Sequence, residues 1–194
     1  MTFQVALAQL IDVLNATPLH ISKDLHQKIA FGIDTDTRTV RPGALFLALC
    51  GESFDGHHFV EQAIAAGAIA AIVDRPLDAA VPQILVSDTL LAYQVLGRWW
   101  RDQFSIPVIA VTGSVGKTTT KEIISAALQT AGSVLKTEAN FNNEIGVPKT
   151  LLNLNPDHAF AVIEMGMRAR GEIATLTQIA RPDIAIITNV GTAH

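Results

Sequence analysis

The chain has 194 residues, of which 49% are hydrophobic and 16% charged, with a formal net charge of −4. That balance argues against a disordered chain, and the lack of any Lys/Arg block argues against general affinity for nucleic acid. A single cysteine, Cys50, excludes an internal disulfide and fits a reducing compartment. The longest apolar run, residues 63–73, contains Gly67 and falls well short of the ~20 residues a membrane span needs. The expectation is a cytoplasmic monomer that binds neither nucleic acid nor membrane.

In chain order, residues 1–15 (MTFQVALAQLIDVLN) have no basic start and carry Asp12, so they read as a helix and not as a signal peptide. Residues 43–51 (GALFLALCG) read as a buried strand closed by glycine. Residues 59–68 follow as a helix, 68–74 as a strand, 75–83 as a proline-containing loop and 84–88 as a short strand. Over 88–103 the apolar residues fall at helical spacing, with Leu91, Val95 and Trp99 in one stripe and Leu96 and Trp100 in the next. A new series begins with IPVIAV at 106–111. Strands at 133–137, 160–165 and 183–189 follow it, separated by helices near 117–131, 146–154 and 171–180. This alternation predicts an α/β protein with a parallel sheet covered by helices on both faces. The predicted boundary lies near 87. A small N-terminal α/β domain would span 1–87, and the first part of a phosphate-loop ATPase domain would span 88–194.

The segment VIAVTGSVGKTTTKEII, residues 108–124, delivers an apolar strand into a glycine turn and then a helix. Successive backbone N–H groups in such a turn, together with the helix N-terminus, form a cradle for anions. The expected phosphate contacts are Gly113, Ser114, Val115, Gly116, Lys117, Thr118 and Thr119. Lys117 would reach the β- and γ-phosphates of ATP, and the Thr118 hydroxyl would ligate Mg²⁺. The commoner pattern has glycine where Val111 stands, so this is the shorter form, G-x-x-G-K-[ST]-[ST]. A second acid is expected at the end of a neighbouring strand. AFAVIEMG supplies Glu164 there, the edge at which α/β sheets bind ligands. A strand-end surface glutamate is the plainer alternative.

Four segments in this order and spacing, TGSVGKTTTKE, NFNNEIGVPKTLL, VIEMGMRARGEIATL and AIITNVGTAH, resemble the central domain of the Mur ligases. DTRTVRPGALFLALCGESFDGHHF, residues 36–59, resembles their N-terminal substrate domain. The resemblance covers nearly the whole chain and is closest to the branch that extends a UDP-linked tripeptide. It implies an ATP-dependent amide ligase of peptidoglycan precursor synthesis. ATP phosphorylates the terminal carboxylate of UDP-N-acetylmuramoyl-tripeptide, and the amine of D-alanyl-D-alanine attacks the acyl phosphate. Three anionic partners must meet, which explains the need for Mg²⁺, a lysine and backbone donors.

The resemblance also assigns residues. Lys117, Glu164 and His194 take catalytic positions, and Thr118, Glu164 and His194 serve the metal. His194 rests on the resemblance alone, as the histidine ending TNVGTAH. Asn142 and Asn143 match an Asn pair near the substrate, with a polar turn as the alternative. Arg168 offers a fork for the peptide carboxylate, or is a solvated loop residue. Asp36, Thr37 and Arg38 match a D-[ST]-R signature on the nucleotide-sugar side, with a structural Asp–Arg pair as the alternative. In DGHHF, residues 55–59, adjacent His57 and His58 do not converge on one ion. Asp55 and Gly56 read as a turn before a helix. Cys50, Trp99 and Trp100 are expected in the core.

The sequence stops inside a motif, so the expectation is an N-terminal part of a longer ligase that is inactive alone. Two other classes stand beside this reading. One is another short-loop enzyme, such as a different Mur-type ligase, a kinase or a folylpolyglutamate synthetase. The other is a non-catalytic module that only holds the UDP substrate. The first-domain stretch at 36–59 argues against the synthetase.

Overall fold

The computed structural model describes residues 3–51 and 53–191. The chain divides into two compact units, one running to Leu96 and the other beginning at Gly97. The division falls inside the helix Thr89–Arg101, whereas the sequence places a boundary just before it, near 87.

The unit from Gly97 onward is built on four parallel strands. Their order across the sheet is Ser133–Lys136, His158–Glu164, Val108–Thr112 and Ile184–Ile187. Strand side chains alternate between faces, and here both faces are apolar because both are covered. Val108, Ala110, Ala161 and Ile163 pack with Val147 and Leu151 of helix Gly146–Leu151 and with Leu176 and Ile179 of helix Glu172–Ala180. Ile109, Val111 and Val162 face the other way, against Ile124 and Leu128 of helix Lys117–Leu128. Trp100 is half-buried against the first cluster, and its indole N–H donates to Leu154 O at 3.0 Å. The register aligns Val111 with Glu164. The phosphate-loop strand and the acid-bearing strand therefore end side by side at one carboxyl edge.

The unit ending at Leu96 holds a five-stranded sheet in the order Thr17–Leu19, Gln83–Leu85, Ala70–Val73, Leu45–Leu47 and Ile33–Asp34. The first pair is antiparallel and the rest are parallel. Val60 and Ala63 of helix Val60–Ala65 cover the face that carries Phe46, Ala71 and Val73. Leu45, Leu47 and Ile72 on the opposite face are fully buried too.

Four expectations need correction. The single strand read at 43–51 is two. Leu45–Leu47 enters the sheet, while Cys50–Gly51 turns away to pair with Phe54–Asp55. Cys50 is consequently exposed and is not a core residue. In helix Thr89–Arg101 the buried face carries Ala92, Tyr93 and Leu96, and Leu91 is 53% exposed. Two apolar stripes compete on that helix, and only tertiary packing chooses between them. Near the N-terminus, the helix read over 1–15 is confined to Leu7–Leu14, because Val5–Ala6 form a short strand that pairs with Ile29–Ala30.

Candidate active site

The phosphate loop joins strand Val108–Thr112 to helix Lys117–Leu128. Gly113 and Gly116 both adopt positive φ, +135° and +85°. At Gly113 a Cβ would lie 2.1 Å from Thr188 Oγ1, so this position accepts only glycine. Lys117 is half-buried and lies back across the loop, donating to Gly113 O at 2.6 Å. The first amides of the helix that follows have no intrahelical acceptor, which makes this end a site for anions.

The loop is braced by the segment after strand Ile184–Ile187. Thr188 Oγ1 donates to Val115 O at 2.6 Å, and Val115 N–H donates to Asn189 Oδ1 at 2.9 Å. Ser114 and Gly191 exchange two hydrogen bonds, Oγ to O at 2.9 Å and N to Oγ at 3.0 Å. Sequence reasoning missed this brace. Its one signal is a polar Thr-Asn pair ending an apolar strand, on the sheet edge where the loop also sits.

Glu164 is buried, at 2% exposure, and its carboxylate is fixed at both oxygens. Thr118 Oγ1 donates to Oε2 at 2.9 Å, and Asn142 Nδ2 donates to Oε1 at 2.8 Å. Because the Thr118 proton is committed to Glu164, the lone pairs of that hydroxyl are left for another partner. A hydroxyl oxygen and a carboxylate at the mouth of a phosphate loop form an all-oxygen donor set, which a hard cation such as Mg²⁺ prefers. The residues present fit the ion.

Of the expected substrate contacts, Asn142 bonds Glu164, and Asn143 Oδ1 accepts from Ile145 N and Gly146 N at the start of helix Gly146–Leu151. Arg168 is exposed on the loop before helix Glu172–Ala180, where its backbone N–H donates to Glu172 Oε2 at 2.6 Å. That bond and a second from Ala169 hold the Glu172 carboxyl below its ordinary range. Asn142, Asn143 and Arg168 line one cleft of about 500 Å³ with Gly113, Ser114 and Lys117. Thr119 is exposed on the first turn of its helix. His194 lies outside the described residues.

In the other unit, Arg38 and Asp36 form a surface pair. Arg38 Nε donates to Asp36 Oδ1 at 2.9 Å, and the Arg38 side chain is 85% exposed. The Asp–Arg pair weighed from sequence as the alternative does form, on the surface, and Thr37 lies between its members, half-buried. The DGHHF turn is a short 3-10 helix, Gly56–Phe59, capped by Asp55. His57 points inward, while the His58 side chain is 77% exposed. Cys50, His57 and Asp74 offer ligand atoms within 4.8 Å of one another. Cys50 and Asp55 face His57 Nδ1, however, whereas Asp74 faces Nε2. One ring nitrogen cannot join all three around an ion, and the cluster is a hydrogen-bonded brace.

A model described as the Mur ligase middle domain matches residues 111–194, and one described as the Mur ligase family catalytic domain matches residues 30–98. The chain is 63% identical over 165 residues to the UDP-N-acetylmuramoyl-tripeptide–D-alanyl-D-alanine ligase of Synechocystis sp., a match covering 84% of this chain and 36% of that protein. It superposes on MurF from Acinetobacter baumannii with a TM-score of 0.91 at 42% identity, over 98% of this chain and 42% of that one. The MurF ligase of Thermotoga maritima in complex with ADP superposes with a TM-score of 0.78 at 40% identity, over 84% of this chain and 38% of that one. The chain thus spans between 36% and 42% of the length of these relatives.

Proposed function

The chain belongs to the Mur ligase family, and from that premise we propose that it carries two parts of a D-alanyl-D-alanine-adding ligase. The unit from Gly97 supplies the phosphate half of the ATP site, and the unit ending at Leu96 supplies the UDP-substrate domain. The observation that carries this reading is the joint placement of Lys117, Thr118 and Glu164 at one sheet edge, with Thr118 hydrogen-bonded to Glu164.

In the reaction, the γ-phosphoryl group of ATP passes to the terminal carboxylate of UDP-N-acetylmuramoyl-tripeptide. The amine of D-alanyl-D-alanine then displaces phosphate, forming an amide. Lys117 and the loop amides offset the charge on the phosphates and orient them for in-line transfer. Mg²⁺, held by Thr118 and Glu164, would add charge neutralisation. The resemblance adds His194 to that set. Asn142 holds Glu164 in place, and Arg168, on the cleft wall, is suited to a peptide carboxylate.

A protein of the relatives' full length carrying this sequence is expected to release ADP only when UDP-N-acetylmuramoyl-tripeptide and D-alanyl-D-alanine are both present. ADP release without the UDP-tripeptide, or with a folate and glutamate instead, overturns the reading. The chain alone, at 36% to 42% of the length of the relatives named above, is expected to bind the UDP-tripeptide without turning ATP over.

Arg38 tests the substrate domain. Its guanidinium is bidentate to Asp36 in open solvent, a kind of pair that contributes little to stability. Arg38→Ala should leave the melting temperature almost unchanged while weakening UDP-tripeptide affinity roughly tenfold through loss of a charge-assisted contact. Calorimetry and thermal unfolding on the same variant check this. Unaltered affinity removes Arg38 from the substrate site.

A further inference from the structure

One turn beyond Thr118, the helix Lys117–Leu128 sends a second lysine into the protein interior. Lys121 is 2% exposed. Its ammonium donates to Thr137 O at 2.8 Å and stands 3.2 Å from Glu122 Oε1 and 3.9 Å from Glu164 Oε2. Thr137 is tied to the same acid, since Glu164 N–H donates to Thr137 Oγ1 at 2.9 Å. Lys117, not Lys121, lies on the phosphate loop, so phosphate binding does not account for this group. An ammonium withdrawn from water is costly unless it is paired, and so is a carboxylate. Here both are withdrawn, and they face each other across the base of the cation site.

We propose that Lys121 is a positioning residue, the resident counter-charge of Glu164. It keeps the buried carboxylate directed at Thr118 and Asn142 when no cation is bound, and it limits how strongly that carboxylate draws one. Glu122 lies closer but is a weaker partner. Its side chain is 48% exposed to water and it also pairs with Lys136. The inference rests on reading Thr118 and Glu164 as a cation site.

Removing the counter-charge has two consequences. Glu164 becomes a buried charge held only by the neutral donors Thr118 and Asn142, and a divalent cation becomes the counter-charge it lacks. Lys121→Met should therefore melt well below the parent in EDTA, and Mg²⁺ should raise its melting temperature more than it raises the parent's. Mn²⁺ affinity, read by electron paramagnetic resonance, should tighten by roughly tenfold because a positive charge near the ion is gone. Adding Glu164→Gln to Lys121→Met should recover much of the lost stability in EDTA, whereas adding Glu122→Gln should not.

A stability loss that Glu164→Gln fails to rescue marks Lys121 as mere packing and overturns the proposal, leaving the cation site itself standing. Rescue without a larger Mg²⁺ shift overturns the cation site and this inference with it. If Lys121→Met alone does not fold, recovery of folding in the double variant supports the proposal, and failure of both overturns it.

Discussion

Lys117→Ala should lower turnover of the full-length ligase by roughly 10²–10³-fold while leaving its melting temperature close to the parent's. The side chain donates only to loop carbonyls, Gly113 O at 2.6 Å and Ser114 O at 3.5 Å, among the bonds the described residues make. These are contacts an ammonium can exchange for phosphate oxygens at small cost to the fold. Its contribution therefore appears when charge moves onto the transferring phosphoryl group, and only weakly in stability. ADP release under saturating substrates measures the first effect, and thermal unfolding the second. Near-normal turnover in the variant would sink the phosphate-loop assignment. A collapse of stability would show instead that the lysine mainly ties the loop together.

The parts legible in the sequence are those that local chemistry dictates. A glycine turn between an apolar strand and a helix has few uses, so Gly113 to Thr119 could be placed before any fold was known. Glu164 followed from its position at the end of a strand. The central strands were equally plain, because a strand buried on both faces is apolar throughout. What escaped depends on neighbours distant in sequence. Strands of two or three residues such as Ile29–Ala30 and Ile33–Asp34 are too short to show a period. The bond from the Asn142 amide to Glu164 Oε1 at 2.8 Å is likewise invisible in the sequence, because only the fold brings the two together. Lys121 carries no signal in the sequence, since nothing in TTTKE announces that the carbonyl of Thr137 awaits it. Buried charge is a tertiary fact. It becomes visible once its partners are assembled from three separate segments.

The same is true of His57, and it sets up the second large effect. Asp55→Ala should destabilise the unit ending at Leu96 by about 2–4 kcal/mol. Asp55 Oδ1 accepts the His57 backbone N–H at 3.0 Å and faces His57 Nδ1 at 2.7 Å, while Oδ2 pairs with Arg75. The His57 side chain is 1% exposed, and its Nε2 accepts from Asp74 N–H at 3.2 Å, so the ring proton sits on Nδ1 and depends on Asp55. Alanine deletes the cap of the short 3-10 helix and leaves that buried N–H facing only the Cys50 sulfur at 3.4 Å, a weak acceptor. Asp55→Asn keeps a carbonyl oxygen for both bonds and should cost less. The pH dependence separates charge from shape. The His57 backbone bond, with further bonds from the His57 ring, Cys50 and Arg75, holds the Asp55 carboxyl well below the ordinary carboxylate range. A group depressed in the folded state stabilises it above its unfolded pKa of about 4 and loses that contribution as pH falls further. The stability gap between the parent and Asp55→Asn should therefore be constant from neutral pH down to about 5 and narrow below about 4. Denaturant titrations across that range measure it, and a gap that persists unchanged at low pH would show that shape alone, without the Asp55 charge, supports His57.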